Sequence, residues 1–198
     1  MYKIIEKKAL NNDVDLMVIE APFVSKNALP GHFLIVRVEE GGERIPLTIV
    51  DLDGDNVTII YQKLGYSTQR LGQLEVGDSV EDMVGPLGKP SHIRDVKSVL
   101  GVAGGVGAAP LYPQLKEYAK RGVKVDLVIG GRSKDYLFLL DEYKKFCDNI
   151  YISTDDGSVG TKGFVTDVLK ELYKEKTFDQ SVAIGPLVMM KYTALLNK

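Results

Sequence analysis

The sequence predicts two architectures in one chain: a closed or nearly closed antiparallel β barrel over residues 1–94, and a Rossmann-like parallel sheet covered by helices over residues 95–198. Three observations predict it. Residues 1–92 carry short apolar runs separated by turn signals with little helical spacing, whereas from residue 97 strand-like runs alternate with helical ones. A glycine-bearing turn, Gly-Val-Ala-Gly-Gly-Val-Gly-Ala-Ala-Pro at 101–110, falls where the first strand of the second half becomes a helix.

In the first half, six strands are expected at 3–9, 15–20, 32–38, 45–51, 57–64 and 79–84. Asn11-Asn12, Pro30-Gly31, Gly41-Gly42 and Asp53-Gly54 break them. A helical stretch at 67–74 interrupts the series, entered through Gly65-Tyr66 with Ser67 or Thr68 as its cap. The boundary falls near residues 90–95, after Gly85-Pro86-Leu87-Gly88-Lys89-Pro90. The second half then reads as strands at 98–103, 124–129, 150–153 and 181–185, with helices at 108–121, 136–146, 163–173 and 187–196.

Net charge is −2, from 25 basic and 27 acidic residues, and no Lys/Arg cluster is dense enough to meet a nucleic-acid backbone. No apolar stretch reaches the ~18 residues of a membrane span, and the start lacks a signal-peptide core, so a cytoplasmic location is expected. One cysteine, Cys147, and two distant histidines, His32 and His92, form neither a disulfide nor a metal site.

The glycine turn points to a dinucleotide. Without side chains at Gly104, Gly105 and Gly107, backbone N–H groups can approach a pyrophosphate at the positive end of the following helix, and Pro110 suits its first turn. Such turns also serve simply to close strand-helix corners. About 20 residues beyond the glycines, where an acidic residue would bind the adenosine ribose, stand Gly131 and Arg132; Asp126 lies mid-strand and reads as structural. Arg132-Ser133-Lys134 could bind a 2′-phosphate, favouring NADP(H). Asp155 and Asp156, ending the third strand, could bind ribose hydroxyls, favouring NAD(H), or could serve an Asp-Gly turn.

Four motifs in order, Arg-Ile-Pro-Leu-Thr at 44–48, Gly-Tyr-Ser-Thr at 65–68, Gly-Gly-Val-Gly-Ala-Ala-Pro at 104–110 and Gly-Pro-Leu-Val-Met-Met at 185–190, resemble the ferredoxin-NADP reductase family from end to end. Within it the resemblance is to electron-transfer subunits, those of NADH-dependent ferredoxin:NADP oxidoreductase and of dihydroorotate dehydrogenase. The resemblance implies an FAD-binding barrel and an NAD(H)- or NADP(H)-binding α/β domain. Arg44 would then pair with the FAD pyrophosphate, and Thr48, the one residue expected to act catalytically, would sit at flavin N5, with Pro46 and Leu47 between them. Arg44 otherwise reads as a solvated charge. Pro46 stands where many members carry an aromatic residue, so ring stacking must come from elsewhere, with Tyr61 the candidate and barrel packing its other reading.

By the same resemblance Gly65, Ser67 and Thr68 cradle the FAD phosphates, although capping alone would explain the hydroxyls. Gly104, Gly105, Val106, Gly107, Ala108 and Pro110 would hold the nicotinamide nucleotide, and Gly185-Pro186 would lie against its nicotinamide. Met189 belongs to that last motif, with helix packing as its other reading, and Ile184 replaces the cysteine frequent there. The expected chemistry is hydride transfer between NAD(P)H and FAD, with electrons passed to a ferredoxin or a large catalytic subunit. A redox-sensing module without catalysis and a bare α/β scaffold are the alternatives. Resembling subunits continue with a cysteine-rich segment that holds a 2Fe-2S cluster. A cluster is therefore expected only in a longer form, and truncation is expected because Leu195-Leu196-Asn197-Lys198 ends on a helix.

Overall fold

The computed structural model describes residues 1–196; Asn197 and Lys198, and the expectation resting on them, lie outside the described residues. The chain divides into one compact unit, Met1–His92, and a second that begins at Ile93.

The first unit contains β1 (Tyr2–Ala9), β2 (Val14–Glu20), α1 (Pro22–Asn27), β3 (Phe33–Arg37), β4 (Arg44–Asp53), β5 (Asn56–Gln62), α2 (Tyr66–Leu71), β6 (Ser79–Val80) and β7 (Asp82–Leu87). The strands form an antiparallel sheet in the order β6-β1-β2-β5-β4-β3-β7. Its two edges are joined by the chain itself: β6 pairs with β1 through Tyr2 and Val80, and β7 pairs with β3 through Arg37 and Asp82. The six expected strands are therefore seven. An extended segment that pairs with both edges of a curling sheet must turn between them, and the run at 79–84 turns at Glu81.

Alternation along the strands sends Ile4, Met17, Ile19, Leu34, Val36, Ile49, Val57 and Ile59 into a buried core. The short α1 was not expected; six residues are too few to show helical periodicity, although Pro22 opens it as Pro often does. The stretch expected as a helix at 67–74 is helical over Tyr66–Leu71 and stops at Gly72.

The second unit contains β8 (Ser98–Gly104), a 3-10 turn (Gly105–Gly107), α3 (Ala108–Lys120), β9 (Lys124–Gly131), α4 (Leu140–Lys144), β10 (Asn149–Thr154), β11 (Thr161–Lys162), α5 (Val165–Glu175), β12 (Gln180–Ile184) and α6 (Leu187–Leu196). All five strands are parallel, in the order β11-β10-β9-β8-β12, and β11 is a two-residue addition the sequence did not announce. Leu100 and Val102 of β8 and Val128 of β9 pack with Val165, Leu169 and Leu172 of α5. On the other face Gly101 leaves room for α3, since a Cβ there would lie 2.3 Å from Leu115 Cδ1.

The helix expected at 136–146 is shorter. A 3-10 turn at Lys134–Tyr136 precedes it, and Leu139 takes a left-handed φ of 62° before α4 begins, which no continuous helix tolerates. Asp179 anchors the start of β8: its carboxylate accepts hydrogen bonds from the N–H groups of Lys97 and Ser98, both at 2.9 Å. Asp126, mid-strand in β9, is buried and accepts hydrogen bonds from Asn149 at 2.8 Å and Lys176 at 3.0 Å. No helix among the described residues is long and apolar enough to cross a membrane.

Candidate cofactor-binding sites

On the barrel, strand alternation decides which motif residues face outward. Ile45, Leu47 and Ile49 pack on the core side, so Arg44, Pro46 and Thr48 share the opposite face of β4. Leu47 can therefore offer a cofactor its backbone but not its side chain. Across the ladder, Arg44 is opposite Arg37, Pro46 opposite Ile35 and Thr48 opposite Phe33, and β7 extends the face with Asp82 beside Arg37 and Val84 beside Ile35.

This face has a charged end and an apolar middle. Arg44 Nη2 donates to Asp82 Oδ2 at 2.7 Å, and that hydrogen bond holds the Asp82 carboxyl below its ordinary range. Arg37 Nε is buried without a hydrogen-bond partner among the described residues. Two guanidiniums face the single Asp82 carboxylate across the strands, with Glu43 and the Glu39–Arg70 pair bordering the same end and Ile35, Pro46 and Val84 as an apolar strip beside it. The donor set thus fits a flavin dinucleotide.

The 65–68 loop is tied to the same end. Ser67 Oγ donates to Glu43 Oε2 at 2.8 Å, one residue before Arg44. Gly65, rather than Ser67 or Thr68, is the residue that caps α2; Thr68 sits at the third helical position, and its hydroxyl accepts from the Gly65 N–H at 3.1 Å. Tyr61 goes the other way. Its side chain is 3 % exposed inside the barrel core, and burial, with the charges of Asp15 and Glu75, raises its pKa. That placement makes it a packing residue and corrects the expectation that it offers a face for ring stacking.

In the second unit the candidate residues converge at the carboxyl ends of the parallel strands, where open α/β sheets bind ligands. Adjacent strand ends carry Gly185-Pro186 (β12), Gly104–Gly107 (β8), Gly131-Arg132 (β9) and Asp155-Asp156 (β10). The glycines divide the work. Gly105 has φ +55°, and a Cβ on it would meet nothing within 4 Å, so its surface is open for a ligand's approach. A Cβ on Gly107 would lie 2.2 Å from the Ile184 carbonyl oxygen, so this glycine lets two turns of the protein touch.

Met189, half-buried, packs against both turns: its Sδ would lie 2.5 Å from a Cβ on Gly104, and its Cε 2.8 Å from one on Gly185. Ala108 is buried, and its carbonyl accepts a hydrogen bond from Tyr143 at 2.7 Å. Val106 is exposed at the turn, and Pro110 lies in the first turn of the 13-residue α3, whose leading N–H groups have no acceptor within the helix. An open glycine at the head of this helix fits a pyrophosphate.

Backbone bonds join the next two turns, from Asp155 N to Gly131 O at 3.1 Å and from Asp156 N to Arg132 O at 3.2 Å. The Arg132 guanidinium lies 6.0 Å from the Tyr136 ring centroid. Asp156 serves its own turn, accepting from Ser158 N at 2.9 Å, and the hydrogen bonds from Ser158 keep its carboxyl below the usual range. Asp155 is exposed beside it. Sequence reasoning missed Arg37, Ile35 and Val84 as members of the barrel face; the period-2 pattern of β3 and the register of β7 would have been needed to find them.

An antiparallel barrel with two guanidiniums on its outward face, followed by a parallel sheet with an open glycine turn at a helix start, is the plan of a two-unit nucleotide-binding protein. The family model for the oxidoreductase NAD-binding domain matches residues 102–194. An uncharacterised protein from the adh 3′ region of Clostridium beijerinckii is 47 % identical over 100 % of this chain and 71 % of its own length. A dihydroorotate dehydrogenase B (NAD(+)) electron transfer subunit homolog from Thermotoga maritima is 43 % identical over 98 % of this chain and 70 % of its own. A chain from the solved structure of the NADH-dependent reduced ferredoxin-NADP oxidoreductase, studied for flavin-based electron bifurcation, superposes with TM-score 0.92 at 41 % identity, covering 99 % of this chain and 71 % of that one. The chain belongs to the ferredoxin-NADP reductase-like flavoprotein family, among its electron-transfer subunits.

Proposed function

We propose that this chain is the flavin-bearing electron-transfer subunit of a larger oxidoreductase, binding FAD on the barrel and NAD(H) on the α/β unit, and delivering electrons to an iron-sulfur partner or large catalytic subunit. The observation that carries the reading is the single outward face shared by Arg44, Pro46 and Thr48, four residues or about 13 Å from charged end to hydroxyl. Arg44, with Arg37 beside it, would hold the pyrophosphate; Thr48 would place its hydroxyl at the reactive edge of the flavin. When bound, the two nucleotides supply the hydride chemistry, and the protein contributes position and electrostatics.

The chain's own groups act by holding and excluding. The turn at Gly105 and the leading amides of α3 would fix the second pyrophosphate, while Gly107 and Met189 keep the Gly185-Pro186 turn against it. NAD(H) is the nucleotide we favour, because Asp155, exposed at the carboxyl edge of the sheet, would meet a ribose there, and the names of two relatives carry NAD(+) and NADH, the second beside NADP. A cluster, and the partner that takes the electrons, belong to the same proposal.

Arg44→Ala tests the flavin site. FAD affinity should fall by about 1.5–3 kcal/mol, the scale of a charge-assisted contact. Wild-type protein should bleach faster with NADH than with NADPH. Equal flavin retention by wild type and variant, measured by titration of the apoprotein, would remove the barrel assignment.

A further inference from the structure

At the amino ends of its parallel strands, the second unit carries a cavity of about 440 Å³. That volume lies within the range of small-molecule sites. Its basic groups come from two segments far apart in the chain: Arg94 and Lys97 lead into β8, and Arg121 and Lys124 lead from α3 into β9. The pairing of Ser98 with Lys124 starts both strands at one level and so gathers four cations around one opening. In a chain of net charge −2, Asp95 is the only carboxylate of that lining among the described residues.

The walls are held by bonds that leave most of this charge unspent. Lys124 N donates to Lys97 O at 3.0 Å, Arg94 N to Tyr118 Oη at 3.3 Å, and Arg121 Nη1 to Ile93 O at 3.3 Å. Arg121 is also paired with Glu117, at 2.9 Å. Asp179 feels the Lys97 charge, but its Oδ2 is engaged by the N–H groups of Lys97 and Ser98 and by the Ser98 hydroxyl. Arg94, Lys97 and Lys124 are exposed and have no ion-pair partner among the described residues. The carbonyls that end α3 would repel an anion, yet those of Tyr118 and Ala119 already accept from Arg121, Gly122 and Val123 N–H groups. Val96 and Val123, half-buried, supply an apolar wall.

Three unpaired cations around a concave opening call for a ligand with more than one negative charge, and guanidinium and ammonium donors suit phosphate oxygens. We propose that this cavity binds a small phosphate-bearing anion. It lies across the sheet from the glycine turn, separated by the seven residues of β8, about 20 Å.

Calorimetric titration of the full chain with inorganic pyrophosphate and with fructose 1,6-bisphosphate tests it, at about 0.15 M salt so that distant charges are screened. NAD+ is included to fill the glycine turn. Lys97→Gln/Lys124→Gln, and separately Arg94→Gln, should weaken binding about tenfold or more, the scale of a lost charge-assisted contact. Lys170→Gln/Lys174→Gln removes as much charge from α5 and should leave affinity within about twofold of wild type. Circular dichroism confirms that each variant is folded. Tighter binding of the sugar bisphosphate identifies an organic phosphate as the ligand, and tighter pyrophosphate an inorganic one. Binding of neither probe, wild-type affinity in both cavity variants, equal weakening by the α5 pair, or a signal that NAD+ abolishes each overturns the proposal.

Discussion

Gly105 and Gly107 stand two residues apart in one turn, yet a methyl group added at each meets opposite surroundings. At Gly107 the new Cβ would lie 2.2 Å from the Ile184 oxygen, 2.6 Å from its carbonyl carbon and 2.9 Å from Gly185 Cα. These are backbone atoms at the end of β12, and they cannot swing aside as a side chain would. Overpacking of this kind costs about 1–3 kcal/mol, borne by the second unit whether or not a nucleotide is present. At Gly105 the Cβ meets nothing within 4 Å, and the cost is that of a left-handed residue at φ +55°, about 1–2 kcal/mol. What the second methyl does instead is stand in front of the amides proposed to meet the pyrophosphate. Loss of a hydrogen bond to a charged group, about 1.5 kcal/mol or more, raises the NADH dissociation constant about tenfold or more.

Gly107→Ala should therefore lose stability first, seen as a lower urea midpoint by far-UV circular dichroism. Gly105→Ala should lose nucleotide affinity first, seen as a shifted NADH dependence of flavin bleaching in stopped flow. If Gly107→Ala unfolds at the wild-type urea concentration, the contact between the two turns is not what requires a glycine there. If Gly105→Ala bleaches with wild-type affinity and rate, this turn is not the nucleotide site.

Two further outcomes follow from titratable groups. Asp179 is held below its ordinary value of 3.8 by hydrogen bonds from the Lys97 and Ser98 N–H groups, so its contribution to stability is present above that pH and lost as pH falls through the lower folded value. Asp179→Ala should lower the urea midpoint at neutral pH, and the gap to wild type should close below pH 3.8; a gap that persists in acid would deny the carboxylate this role. The Cys147 thiol is pushed up to about 12, first by burial and then by the charges of Asp126 and Asp148. Alkylation by iodoacetamide at pH 8 should be about 100-fold or more slower in the native protein than in urea, and equal rates would show that the thiol is not shielded.

What the sequence determined by itself is whatever depends on neighbours a few positions apart. The change of rhythm near residue 95, the spacing that puts Arg44 and Thr48 on one face, and the glycine turn leading into α3 are all short-range patterns, set by the period of 2 in a strand and 3.6 in a helix. The tertiary structure decided what stands against each residue. Gly105 and Gly107 look alike in the turn until β12, far along the chain, comes to rest on one of them. Tyr61 and Tyr66 are two tyrosines near the flavin motifs until the barrel closes around the first and α2 lifts the second to the surface. The run at 79–84 reads as one strand until it has to reach two edges and turns at Glu81, and the two-residue β11 exists only because β10 offers it a partner. Local pattern encodes direction and exposure, whereas a contact at 2 or 3 Å is a property of two distant segments together and becomes defined only when the chain has folded.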